Sequence, residues 1–101
     1  MPTIDANGLT VAYEMAGAGP PLIMLHGATG SGGAHMGGLM ASLAGTLRTY
    51  APDARGHAGT RLDPDGGLTT DYLVADVLAF ADALGLDTFH LLGYSLGGMT
   101  A

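Results

Sequence analysis

Gly93-Tyr94-Ser95-Leu96-Gly97, with Gly98 behind it, is the stretch on which the reading turns. It is a G-x-S-x-G pentapeptide that follows a short apolar strand signal, Thr88 to Leu92, and opens a helix signal from Leu96 onward. A serine in such a strand-to-helix turn sits on a strained backbone that lifts its hydroxyl clear of the sheet. Side chains two positions to either side would collide with the turn, and Gly93 and Gly97 remove them. The same turn aims the Leu96 N–H at the place where an oxyanion would form. In a chain with 18 glycines the pentapeptide alone reads equally well as a plain turn with a capping serine. The strand before it and the helix after it supply the context that a nucleophile requires.

Upstream, strand and helix signals alternate between Gly-rich turns. Leu22-Ile23-Met24-Leu25 is short and wholly apolar, as expected of a strand buried on both faces. Leu9 to Ala16 alternates loosely behind an Asn7-Gly8 turn signal, which with Thr3 to Asp5 predicts an opening hairpin. A loop over Gly27 to Gly33 leads to a helix with Met36, Leu39, Met40 and Leu43 on one face, its first turn weakened by Gly37 and Gly38. Leu47 to Ala51 reads as a strand ended by Pro52, and Asp53 to Gly67 as loop. The clearest helix is Thr70 to Leu84, with an apolar stripe of Leu73, Val77, Phe80, Ala81 and Leu84. Thr70 suits its cap, Asp71 the positive end of its dipole and Gly85 its C′ position. This order predicts an α/β fold: a mostly parallel sheet with helices on both faces and the antiparallel hairpin at one edge. The ligand crevice of such a sheet lies beyond the carboxyl ends of its strands. The loops after Leu25, Ala51 and Leu92 meet there in this reading.

Two of those loops carry further candidates. In His26-Gly27-Ala28, Gly27 lets the backbone bend away from the sheet, and the Ala28 N–H is the candidate second oxyanion donor. The loop also reads as a simple connection, and His26 as a hydrogen-bonded structural residue in preference to a catalytic one. In Asp53-Ala54-Arg55-Gly56-His57-Ala58-Gly59-Thr60, Asp53 and Arg55 can pair with nearby backbone or with each other, which is loop architecture and not proton transfer.

Composition narrows the partners. The 101 residues make one domain and leave no room for a second. With a net charge of −6 and three cationic side chains, all Arg, the chain has little with which to neutralise phosphates. Nucleic acid and an anionic membrane surface are therefore disfavoured as partners, and oligomeric state is left open. No Cys is present, which excludes a disulfide framework and is compatible with the cytoplasm. No signal peptide or membrane-spanning run is visible. No metal-ligand cluster stands out, so neither a metal nor an organic cofactor is expected. A nucleotide site is also disfavoured. Gly27 to Gly33 contains no Lys, and G-x-G-x-x-G from Gly30 would need Gly where His35 stands.

Taken in order, His26-Gly27, the D-x-R-G-H-x-G-[ST] run from Asp53 to Thr60 and Gly93 to Gly98 resemble the α/β-hydrolase family. Asp76 to Gly98, with Ala-Leu-Gly-Leu before the last strand, resembles the ester-hydrolysing branch of carboxylesterases and related lactonases. The resemblance runs from about Leu9 to the last residue and implies a Ser95 nucleophile, an oxyanion hole from the Ala28 and Leu96 amides, and a small acyl substrate. It disfavours the dehalogenase and epoxide hydrolase branches, which carry Asp at the elbow. Ala58 stands where the family usually has Gly, Thr60 where it has Ser, and Met36 where many relatives have Trp.

The family order is Ser, then Asp or Glu, then His. Six residues follow Ser95 and none is acidic or His. His90 lies five residues before Ser95 on the same strand, roughly 16 Å away at strand rise, which excludes it as a base. His26 and His57 are not excluded by arithmetic but do not fit the order. Losing the base costs on the order of a million-fold in turnover in a related mechanism. The expectation is thus the N-terminal portion of a single α/β-hydrolase domain, inactive alone, with a non-catalytic binding protein of the same fold as the alternative.

Overall fold

The hairpin forms first along the chain and for a local reason. Asn7 and Gly8 both take positive φ, 52° and 77°, the backbone of the tight turn that matches strand twist. They join β1 (Thr3–Ala6) to β2 (Leu9–Ala16), with Ala6 opposite Leu9. The computed structural model describes residues 2–27, 31–60, 70–94, 97 and 100, with backbone alone at 33–35 and 70. On those residues follow β3 (Pro21–Leu25), α1 (Gly32–Leu43), β4 (Arg48–Pro52), α2 (Thr70–Ala83) and β5 (His90–Gly93). Of the helix expected from Leu96, Gly97 and Thr100 are described and both are helical, while the loop residues 61–67 and any cap from the Thr70 side chain lie outside the described residues.

The strands of the described residues make one sheet in the order β1-β2-β4-β3-β5. β1 with β2 and β2 with β4 are antiparallel; β4 with β3 and β3 with β5 are parallel. The chain leaves β3 on one side to form β4 and returns to its other side to form β5, so the direction of winding reverses at β3.

β3 is apolar throughout because both of its faces are covered. Ile23 and Leu25 join Leu9, Val11, Tyr13, Tyr50 and the α2 residues Phe80 and Ala81. Leu22 and Met24 face the other way, against Met36 and Met40 of α1 and Ala51 of β4. The expected two-sided architecture is present. The α2 stripe is buried as predicted at Leu73, Phe80 and Ala81, with Val77 and Leu84 packed at its margin. The helix ends in a Schellman motif: Gly85 has φ 75°, Leu86 N–H donates to Ala81 O at 2.9 Å and Gly85 N–H to Asp82 O at 3.0 Å.

Four expectations need correction. First, α1 starts at Gly32, inside the predicted loop, because the Gly32 N–H, an orphan donor of its first turn, is taken by the Asp53 carboxylate across the sheet edge at 2.8 Å. Second, Leu39 belongs to no core face. It is 41% exposed, since α1 meets the sheet through Met36 and Met40. Third, β4 runs one residue later than predicted and includes Pro52, which sits opposite Tyr13 at the strand's end. The Asp53 N–H then supplies the next bond to β2, to Ala12 O at 2.8 Å. Fourth, β5 starts two residues late and is not fully buried. His90 and Leu91 are exposed, as suits the edge of the sheet among the described residues.

Candidate active site

Reversal of winding opens a crevice at the carboxyl ends of the central strands. Leu25 and Gly93, the last residues of β3 and β5, are register partners. The loops after β3, β4 and β5 therefore leave the sheet side by side, as the sequence predicts.

The turn after β5 is bonded directly onto the end of β3. Tyr94 N–H donates to Leu25 O at 3.0 Å. Gly97 N–H is shared between His26 O at 3.1 Å and Tyr94 O at 3.0 Å. A Cβ at Gly97 would stand 2.2 Å from Leu25 O and 2.6 Å from its carbonyl carbon. No side chain fits there, because the obstacle is backbone of the most buried strand. Close approach is thus the reason for Gly at the fifth position of the pentapeptide. Gly93 ends β5. Ser95, Leu96, Gly98 and Ala28 lie outside the described residues.

His26 is buried at the end of β3 and engaged through both ring nitrogens. Nε2 accepts the Ala54 N–H at 2.9 Å, and Nδ1 lies 2.6 Å from Gly27 O. Its ring packs at 5.2 Å from that of His57, whose Nδ1 lies 3.0 Å from Arg55 O. His90 opens β5, at the end away from Gly93.

The loop after β4 is held by buried polar groups. Asp53 uses one carboxylate oxygen on Gly32 N–H at 2.8 Å and the other on Gly59 N–H at 3.1 Å. It thereby places a negative charge at the positive end of α1. Thr60, buried, accepts the Ala12 N–H of β2 through its hydroxyl at 3.0 Å. Of the two pairings left open for Asp53 and Arg55, Asp53 takes backbone. Arg55 reaches α2 and forms two bonds to Asp76, Nε to Oδ2 at 2.6 Å and Nη2 to Oδ1 at 2.8 Å. Its guanidinium also lies over the Tyr72 ring, 4.6 Å from the centroid. Asn7, in the hairpin turn, donates to Asp76 Oδ1 at 2.8 Å.

Sequence reasoning missed Asp76 and Asn7. The signal was there for Asp76: it stands beside Val77 and three residues after Leu73, so a carboxylate borders the apolar stripe of α2 and needs a cation. Arg55 side-chain exposure is 1% and that of Asp76 is 13%, so losing one partner strands a charge out of water. Arg55→Met is expected to destabilise the fold by about 3 kcal/mol, read as a lower urea midpoint. Adding Asp76→Leu is expected to recover most of that loss. An unchanged midpoint for Arg55→Met would show that the pair holds nothing.

Leu25, His26, Arg55, Asp76, Phe80 and Gly97 border one cavity between the carboxyl edge of the sheet and α2. Among the described residues, no group of three His, Cys, Asp or Glu is placed to hold a metal ion, and no helix is long and apolar enough to cross a membrane.

Comparison with known proteins agrees with this geometry. A family profile described as alpha/beta hydrolase fold matches residues 20–101. The chain is 39% identical over 99 residues to an N-formylmaleamate deformylase of Pseudomonas putida, covering 97% of this chain and 37% of that protein. It is 31% identical to epoxide hydrolase 2 of Siraitia grosvenorii, covering 98% of this chain and 32% of the relative. Among solved structures, a meta-cleavage product hydrolase from Pseudomonas fluorescens superimposes with a TM-score of 0.89 at 29% identity, over 97% of this chain and 37% of that one. The chain thus spans about a third of the length of these relatives. A sheet wound outward from β3, a glycine wedged against its end and a profile match over most of the sequence agree: the chain belongs to the α/β-hydrolase fold family.

Proposed function

We propose that this chain carries the nucleophile and oxyanion-binding half of a hydrolase that cleaves ester or related acyl bonds in a small molecule. The observation that carries the reading is the seat of Gly97: its N–H is bonded to His26 O, and a Cβ at this position would collide with Leu25 O. That contact pins one shoulder of the G-x-S-x-G turn at the rim of the sheet, where a serine hydroxyl can stand free of it.

In this mechanism the Ser95 oxygen attacks the acyl carbonyl and its proton passes to a histidine. The tetrahedral oxyanion is met by the amides of Ala28 and Leu96. The leaving group departs with the proton, and water then cleaves the acyl-serine to release the acid and restore the hydroxyl. The histidine and its acidic partner belong to the remainder of a polypeptide as long as the relatives, and the 101 residues alone are inactive. Relatives with different reactions share this part of the fold, so the nucleophile's identity discriminates better than overall similarity. A hydroxyl at position 95 supports acyl transfer over the elbow aspartate that the resemblance assigns to epoxide hydrolases.

The test uses the polypeptide that continues this sequence. It is expected to hydrolyse a p-nitrophenyl ester and to be labelled by an activated fluorophosphonate, with the adduct on the peptide containing Ser95 by mass spectrometry. A folded protein that turns over the ester while the label lands on another residue would refute the assignment.

A further inference from the structure

Asn7 is the only Asn in the 101 residues, no Gln accompanies it, and Gly8 follows it. The pair forms the turn between β1 and β2 and both residues are exposed. The Gly8 nitrogen and the Asn7 side-chain carbonyl carbon can close a five-membered ring. Gly8 brings no side chain to crowd that closure. Its surroundings are open as well, since even a Cβ there would meet nothing within 4 Å. Attack of the Gly8 nitrogen on Cγ forms an N–Cγ bond and breaks Cγ–Nδ2. Ammonia leaves, carrying the Gly8 N–H proton. One water then opens the succinimide at either carbonyl and leaves aspartate or isoaspartate at position 7. Water is the only other reactant, and nothing is oxidised or reduced.

The leaving nitrogen is the atom that the fold ties down. Asn7 Nδ2 donates to Asp76 Oδ1 at 2.8 Å. The same oxygen accepts Arg55 Nη2 at 2.8 Å, and Oδ2 accepts Nε at 2.6 Å. A buried guanidinium thus holds the acceptor in place. We infer that Asn7-Gly8 is a site of spontaneous deamidation that the Arg55–Asp76 pair holds in check while the protein is folded. The carboxylate fixes the side-chain torsions that ring closure has to change, and it offers the departing nitrogen no proton. Conversion also ends the contact for good. A carboxylate at position 7 has no N–H to donate and faces Asp76 as a like charge. Isoaspartate adds a further carbon to the main chain of the turn. Ala6 and Leu9, on either side of that turn, lie in the core with Phe80 and Ala81 of α2. A chain that has opened there for long is therefore expected to refold to a less stable form. The reaction needs no group of the crevice and is independent of the hydrolase reading.

Conversion is followed in the complete polypeptide at mildly alkaline pH, by mass spectrometry of the peptide containing Asn7 and by enzymatic methylation of isoaspartate. The folded parent is compared with the parent unfolded in urea and with Arg55→Met/Asp76→Leu, which removes the acceptor and is expected to keep the fold. The double variant is expected to convert roughly tenfold faster than the folded parent, the cost of opening one hydrogen bond to a charged group, at a urea midpoint near that of the parent. The unfolded chain is expected to be at least as fast. Equal rates in the folded parent and the double variant overturn the inference, as does an unfolded chain that stays unmodified at Asn7. If the double variant does not fold, the parent decides: the side-chain N–H protons of Asn7 are expected to exchange with solvent more slowly in the folded state than in urea, and equal exchange overturns it. Asn7→Asp, which installs one of the products, is expected to lower the urea midpoint of the parent but not that of the double variant. An equal loss in both backgrounds overturns the role of Asp76.

Discussion

Ser95→Ala in the complete polypeptide is expected to lower turnover of an activated ester on the order of a million-fold, while leaving KM and the unfolding midpoint close to those of the parent. In the proposed mechanism the substitution removes the atom that forms the acyl bond. What survives is the part of catalysis that needs no nucleophile. Amides aimed at the oxyanion and a held substrate still give roughly a thousand- to ten-thousand-fold over water. The near-constant KM follows because a serine hydroxyl contributes to the transition state and little to ground-state binding. A variant that kept about a tenth of the parent rate would identify a different nucleophile.

Gly97→Ala is expected to produce the second largest effect, and to strike stability and activity together. The added methyl would sit 2.2 Å from Leu25 O, 2.6 Å from its carbonyl carbon and 2.7 Å from its Cβ. Two of the three obstacles are backbone, so no rotamer change relieves them. Leu25 is also held by its pairing with β5 and by its place in the core. Relief must come from movement of the turn. A shift of about 1 Å can cost on the order of a hundredfold in rate, and residual strain is expected to cost about 3 kcal/mol in stability. Gly38→Ala is the control. A Cβ there meets nothing within 4 Å, and in a helix interior the change is expected to stabilise by up to about 1 kcal/mol. Parent-like kcat and urea midpoint in Gly97→Ala would mean that the contact at Leu25 O does not constrain the turn.

How far the sequence could be read follows from what each element depends on. The hairpin, β3 and α2 are specified locally. Asn7-Gly8 dictates its turn, Leu22 to Leu25 has no polar face to present, and the Leu73 to Leu84 stripe ends at a glycine that suits a Schellman motif. α1 was misplaced because its start is set by the Asp53 carboxylate, 21 residues further along the chain. No pattern near Gly32 reports that bond. Leu39 misled because three of its partners in the predicted stripe were right, while the helix touches the sheet along a narrower line. At the site, the tight seat of Gly97 and the hydrogen-bonded burial of His26 were legible from their motifs. The Arg55–Asp76–Asn7 contact was not, because it joins a loop, a helix and a hairpin turn that only the fold brings together.

The position of β3 also has a consequence for how the protein is made. Ile23 is paired with Leu91 across a parallel ladder, so the partner strand on that side does not exist until 68 residues later in the chain. At a translation rate of about 5–20 residues per second, roughly 3–14 s pass on the ribosome between the two. For that interval the most apolar strand has one edge unpaired and, until α2 emerges, one face uncovered. The hairpin and α1 can shelter it on the side synthesised first. The other side remains open to whatever binds nascent apolar strands, a chaperone in the productive case and another nascent chain in the unproductive one.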